Sequence, residues 1–509
     1  MSRSPNPTHC ARSPHAGPLA PRPGSVFSAQ PRAASAIASP STIEVGDDPA
    51  TEHARTLFGV CGVTTQRVEA GAGSDAALDW ARSGAMALTG PPGEAPRFAR
   101  GPLATAARGA GQMLASLSPA SPLARLDAAA LLGERAAIAG LERAGVVSAG
   151  GSARLLTTRN AVVVVNLPRD EDWTLVPAWL ESDAFSPATP RWERLARHLT
   201  TTDGVKLIER GRLMGLAVAE APTRIDPERP WFRLHHASQA APESVSRPLR
   251  LLDLSSLWAG PLASSLLALA GIEVLKIESP DRPDGARRGP PAFFDLLNAN
   301  KEGCALDLRA TPDREIFERL LETADLVLES ARPRALEQLG YDPAGWLGSR
   351  PGRLWISITG YGRGHPERDW VAYGDDAAIA AGLAWPPASS ASSGPASEGP
   401  CFCADAIADP LTGLHAAAIA LALTKVGRGG LLDLSLVDVA ARAAGLSAGA
   451  LVRPIERGAG TDSVIVDGAR IEIAAPRARI ATGSAPRLAP PCTRLLSKWT
   501  SRSARTSTC

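Results

Sequence analysis

From Leu249 onward, short and almost uniformly apolar runs alternate with segments of helical spacing, and this constrains the fold more than any other feature of the sequence. The runs are LRLLDLS (249–255), IEVLKIES (272–279), CALDL (304–308), DLVLES (325–330) and RLWISITGYG (353–362). Between them lie PLASSLLALAG (261–271), with Gly271 placed as a C-terminal cap, TPDREIFERLLETA (311–324) and RPRALEQLG (332–340). Thr311 is expected to cap the middle helix, with Pro312 at its first position. Strands apolar on both faces need cover on both faces, so the pattern predicts a Rossmann-like, doubly wound parallel α/β sheet. Ligands of such sheets sit beyond the carboxyl ends of the strands, so the strand-to-helix loops are where chemistry is expected.

The rest of the chain divides around this block. Residues 1–45 are rich in Pro, Ser, Ala and Arg, have no acid before Glu44, and are expected to be a disordered tail. A second, smaller α/β block is expected over 46–225, a linker over 226–248 with prolines at both ends, the main block over 249–484, and an irregular tail over 485–509.

Composition excludes several classes of function. The 509 residues carry 54 basic and 52 acidic side chains, a net +2 that gives no electrostatic case for nucleic acid. Seven cysteines without Cys-x-x-Cys spacing support neither a disulfide framework nor a metal site. No run approaches the ~20 apolar residues of a membrane span, and the start lacks a secretory core, so a cytoplasmic protein with no membrane partner is expected. The first loop, SSLWAGP (255–261), offers only Gly260 where a dinucleotide fold needs G-x-G-x-x-G, which leaves Glu278 a weak ribose ligand.

Four stretches in register resemble the family III CoA-transferases of the formyl-CoA and carnitine-CoA transferase type. They are LDLSSLWAGPLASSLLALAGIEVLKIESP (252–280), the segment from NANKEG to LEQLGYD (298–342), LWISITGYG (354–362) and ADAIADPLTGLHAAAIALALTKVGRGGLLDLSLVDVA (404–440). The resemblance implies transfer of CoA from an acyl-CoA to a free carboxylic acid, no permanently bound cofactor, and a homodimer, since the family forms interlocked rings. Through the motif D-x-x-T-G it makes Asp409 the nucleophile. The chemistry suits the residue: a carboxylate attacking a thioester gives a mixed anhydride of comparable transfer potential, provided water is excluded. Pro410 at a first helical position would make Asp409 the helix cap, beside unpaired N–H groups.

For CoA the resemblance points to the loops: Trp258, Ala259 and Gly260 near the pantetheine and acyl end, and Tyr361 and Gly362 in the turn after the fifth strand. Arg287, with Arg288 beside it, Asn300, Lys301, Arg332 and Arg334 are its candidates for phosphate and nucleotide contacts. Relatives often have glutamine at Trp258 and glycine at His365. Asp405 falls outside the motif, Asp433 reads as a strand residue, His415 as a packed histidine, and Cys401 and Cys403 as flanks of a strand. The racemases sharing the fold use a histidine where this chain has Asp375, so a racemase is the second enzymatic reading and a non-catalytic acyl-CoA binder the third. The segments 77–96 and 142–167 resemble the rear half of the same family, so the chain reads as two partial copies, rear half first. Gly150 and Gly151 then read either as a loop that closes over the site or as a simple surface turn.

Overall fold

The computed structural model describes residues 48–63, 75–182, 191–222, 224–240, 247–364, 366–384, 399–449, 451–458, 460–491 and 493–500. The tail 1–45 and His365 lie outside them.

Five strands of the main sheet lie at the five apolar runs between Leu249 and Gly362. β1 (Ala153–Thr157), β2 (Val162–Asn166) and β3 (Ala217–Glu220) form a small antiparallel sheet in the order β1-β2-β3. The main sheet holds β4 (Arg233–Gln239), β5 (Arg250–Asp253), β6 (Glu273–Glu278), β7 (Glu302–Ala305), β8 (Leu326–Glu329), β9 (Leu354–Thr359) and β10 (Arg428–Ser435). Its order is β4-β10-β9-β8-β5-β6-β7, parallel throughout except for β4 on the edge. After β7 the chain returns to the far side of β5, so strand order reverses between β5 and β8, where a ligand crevice opens in folds of this kind.

The sheet is covered on both faces, as the apolar runs require. Leu251, Leu328, Ile356, Ile358 and Leu434 enter one core, while Leu252, Val327, Trp355 and Leu431 enter the other, a period of two carried across four strands. The first core is roofed by helices Ala259–Leu269 and Ala408–Lys425, and the latter is buried from Pro410 to Leu423. The two helices meet at Gly413, where a Cβ would stand 2.5 Å from the Ala259 carbonyl oxygen. Helices Pro49–Cys61 and Leu103–Leu117, from the first part of the chain, pack into this same core through Leu57, Leu103 and Ala107.

Several expectations need correction. Within 226–248, expected as a linker, β4 pairs with β10 and extends the main sheet; RLHHASQ hides this because an edge strand with exposed alternate residues has no need of an apolar run. Within the tail expected to be irregular, Thr493–Thr500 is a helix whose Trp499 is 1% exposed. Thr323 donates to the Trp499 carbonyl at 2.6 Å and the Arg250 guanidinium to the Lys498 carbonyl at 2.8 Å. Thr311 is the first residue of its helix, with Ala310 as cap. Residues 401–403 form no strand; Phe402 N–H is satisfied by the Gly145 carbonyl instead.

Because Trp499 fills the second core, Trp499→Ala is expected to cost about 3–5 kcal/mol in the free energy of unfolding, measured by chemical denaturation. Ile480→Ala, at an exposed position, is expected to change it little.

Candidate functional site

The crossover from β9 to β10 places Asp409. A helix joining two parallel strands runs antiparallel to them, so the start of Ala408–Lys425 lies at the carboxyl edge of the sheet. The approach to it is a strained turn: Ala404 and Ala406 have φ of 56° and 42°, values that alanine rarely adopts. The turn is held by hydrogen bonds from Ala404 N–H to Thr89 Oγ1 and from Ala406 N–H to Asp375 Oδ1, both 2.9 Å. Asp409 is the second residue of the helix and not its cap, a role taken by Ile407. Pro410 at the third position is tolerated because the first N–H groups of a helix have no intrahelical acceptor.

Around Asp409 gather groups from distant parts of the chain. Arg135, in the helix Glu134–Ala139, donates through Nε to Asp405 Oδ2 at 2.8 Å and through Nη2 to Asp405 Oδ1. The same guanidinium acts electrostatically on Asp409 and Asp375. Asp409 is the partly exposed residue of an otherwise buried turn. Burial pushes its carboxyl up to about 7; Arg135 and the Gly374 N–H oppose this, and Asp375 and Asp405 reinforce it. Burial and the Asp405 charge raise Asp375 to about 6, while Arg135, the Ala406 N–H and the Ser148 hydroxyl pull it back. Gly374 must be glycine, since a Cβ there would lie 2.5 Å from Asp409 Oδ2 and 2.3 Å from the Ala406 carbonyl oxygen. Gly150 likewise leaves room for Arg135, whose Nη2 is 3.1 Å from where its Cβ would stand. Trp258 joins the cluster with its ring centroid 5.5 Å from the Arg135 guanidinium carbon, and its buried indole N–H is without a protein acceptor. The site thus offers one carboxylate poised near neutrality, one fixed cation and an unspent N–H donor.

The expected CoA contacts divide into two groups. Lys301 is buried and spent on Asp253 Oδ2 (3.0 Å), the Pro261 carbonyl and Asn298 Oδ1, so it is a structural cation and not a phosphate ligand. Arg287 is clamped on Glu278 at 2.6 and 2.9 Å and on the Pro486 carbonyl, which also removes Glu278 as a ribose ligand. Asn300 Nδ2 donates to the Ser265 carbonyl at 3.1 Å. By contrast, Arg332 and Arg334 follow β8 at the crevice where strand order reverses; Arg332 is half-buried, with Arg334 and Arg169 near enough to repel its charge. Ala259 and Gly260 open the helix after β5, and Gly260 is required by Ser255, whose Oγ is 2.3 Å from its would-be Cβ. Tyr361 and Gly362 line a cavity of about 590 Å³ whose wall includes neither Asp409 nor Arg135.

Asp433 is a buried residue of β10, as read from the sequence. His415 is a packed histidine, 3.0 Å from His53 Nε2 and stacked on Trp231. Arg135, Gly374 and Ser148 were not legible as site residues. Among the described residues no three His, Cys, Asp or Glu side chains are arranged to hold a metal, and no helix is long and apolar enough to cross a membrane.

Residues 248–462 match the family model described as CoA-transferase family III. This region of the chain is similar to that family. The chain is 32% identical over 145 residues to the succinyl-CoA–D-citramalate CoA-transferase of Chloroflexus aurantiacus, covering 27% of this chain and 36% of that protein. It is 29% identical over 208 residues to the succinate–glutarate CoA-transferase of Agrobacterium fabrum, covering 38% and 50%. The solved CAIB/BAIF family protein from Brucella suis is similar at 27% identity with a TM-score of 0.33, covering 38% of this chain and 54% of that one. The chain thus spans half or less of the length of these two CoA-transferases.

A carboxyl raised in the folded state binds its proton more tightly there, so its contribution to stability is full below the unfolded value and is lost as pH rises through about 7. Asp409→Asn, which removes the charge, is therefore expected to raise the melting temperature at pH 8 and to change it little at pH 4; thermal unfolding monitored by circular dichroism at both pH values tests this.

Proposed function

We propose that the protein transfers CoA from an acyl-CoA to a free carboxylic acid, with Asp409 as the nucleophile. The observation that carries this reading is the placement of the Asp409 carboxyl, in its D-x-x-T-G motif, beside Arg135 at the carboxyl edge of a sheet within the family-matching region. The named activities of the two relatives support the reaction class.

In the proposed sequence one Asp409 carboxylate oxygen attacks the thioester carbonyl, the C–S bond breaks, and CoA leaves as thiolate with an aspartyl–acyl anhydride left behind. The thiolate then attacks the aspartyl carbonyl and expels the donor acid, giving an aspartyl–CoA thioester. The acceptor carboxylate attacks that thioester to form a second anhydride, and CoA returns to the acyl carbon of the acceptor, regenerating Asp409. Arg135 holds negative charge at the site without donating a proton, and the Trp258 N–H is a donor available to an oxyanion. Arg332 and Arg334 are the arginines we assign to CoA phosphates. Racemisation would need a second proton-transferring group of suitable basicity, and Asp375, tied to Ala406 and Ser148, fits that role poorly.

Incubation with succinyl-CoA and hydroxylamine is expected to convert Asp409 to a hydroxamate, detected by peptide mass spectrometry. Asp409→Asn should abolish both the adduct and transfer. CoA binding without an adduct in the unaltered protein would instead indicate a binder, and exchange of the α-proton of 2-methylacyl-CoA with no acceptor acid would indicate the racemase. Because the attacking carboxylate must be ionised, transfer at limiting substrate is expected to fall about tenfold per pH unit below about 7.

A further inference from the structure

The cavity of about 590 Å³ lies at the carboxyl ends of β9 and β10 and is walled by three parts of the chain. Arg212 and Ala219 come from the first part, Arg233 and His235 from the edge strand β4, and Tyr361 and Asp433 from the turn after β9 and from β10. Its size falls in the range of small-molecule pockets. Four of its charged residues are held in close ion pairs: Arg229 and Arg233 both hold Asp438, at 2.6 and 2.8 Å, and Arg363 holds Glu329 at 3.0 Å. Arg212 and Asp433 keep buried polar atoms without a partner.

Arg212 is the arginine of this wall with no carboxylate within ion-pair distance among the described residues. Its guanidinium carbon lies 3.7 Å from the Trp370 ring centroid and 5.3 Å from that of Tyr361, and its buried Nε has no acceptor. The Tyr361 hydroxyl also interacts with this guanidinium; aromatic faces accept none of its in-plane hydrogen bonds, so its unpartnered Nε remains for an anion. Asp433 is 2% exposed, and its Oδ1 is buried without a donor. Its Oδ2 receives the Arg363 N–H at 3.2 Å, with His235 Nε2 at 3.7 Å. Buried polar atoms of this kind each cost free energy until a partner arrives. The remaining wall includes Ala219, Pro222, Ala380 and Val437, an apolar surface.

We propose that this cavity is a second small-molecule site, for a monocarboxylate that carries a hydrogen-bond donor near its carboxylate and an apolar ring or chain. The carboxylate pairs with Arg212, the donor meets Asp433 Oδ1, and the apolar part lies against Ala380 and Val437. Glu220 and Glu367, also in the wall, disfavour polyanions such as the phosphates of CoA. Tyr361 and Gly362, candidates for CoA contact in the sequence, belong to its wall, but neither Asp409 nor Arg135 does, so the proposal does not rest on the transferase reading.

Titration calorimetry on the full chain with 3-phenylpropionate, 3-phenyllactate and phenylalanine, which differ only in H, OH or NH₃⁺ at C2, tests it. Phenyllactate or phenylalanine is expected to bind saturably at one site, about tenfold or more tighter than phenylpropionate; the tighter of the two identifies the donor as hydroxyl or ammonium. Arg212→Met should weaken binding about tenfold or more and Arg212→Lys less, with both variants shown to be folded by circular dichroism. Absence of saturable binding by all three compounds, equal affinity for all three, or unchanged affinity in folded Arg212→Met would overturn the proposal. Asp409→Asn is expected to bind them as the unaltered protein does, so loss of transferase activity alone has no bearing on this site.

Discussion

The guanidinium of Arg135 is the contact on which the site depends. Three aspartates, Asp375, Asp405 and Asp409, converge at the carboxyl edge of the main sheet, and like charges so close resist ionisation together. Arg135 neutralises Asp405 through a two-bond fork and lowers the cost of charge on the other two. It reaches Asp405 from 270 residues away in sequence. The part of the chain before β4 is therefore built into the site: it supplies the cation, the Ser148 hydroxyl on Asp375 and the glycine beside Arg135.

A second set of buried charges fixes the other wall. Lys276 and Lys301, two of only five lysines in the chain, are fully buried and paired with Asp284 and Asp253 at 2.9 and 3.0 Å. Lys276 also donates to the Ser255 carbonyl, and Asp284 accepts the Leu257 N–H. These bonds pin the loop between β5 and the following helix, and with it Trp258, against which Arg135 rests. Breaking one partner of such a pair would leave an uncompensated buried charge, so these lysines act on the site through the position of the loop and not through contact with substrate.

How much of this was legible in the sequence follows from what kind of information each feature carries. The parallel strands are local: Leu251–Leu252, Leu326–Leu328 and Leu354–Ile358 are apolar on both faces, and a doubly covered sheet is the simplest structure that buries them. Asp409 is carried by a short motif. β4 escaped because a strand on the edge of a sheet keeps polar residues, and the helix around Trp499 because its short amphipathic pattern lies within a polar tail. Arg135 is one of 49 arginines, with nothing around it to mark a partner so far along the chain. The partners of Lys301 and Arg287 are hidden for the complementary reason: a cation in a promising loop gives no sign that a buried carboxylate already holds it.

The central claim, that Arg135 sets the ionisation of Asp409 across the two parts of the chain, is tested most directly by the pH dependence of carbodiimide labelling at Asp409, read by peptide mass spectrometry in the unaltered protein and in Arg135→Gln. Carbodiimides react with the protonated carboxyl, so removing the cation should move the midpoint of labelling to higher pH, with Arg135→Lys in between. A midpoint that stays near 7 in all three proteins would contradict the account.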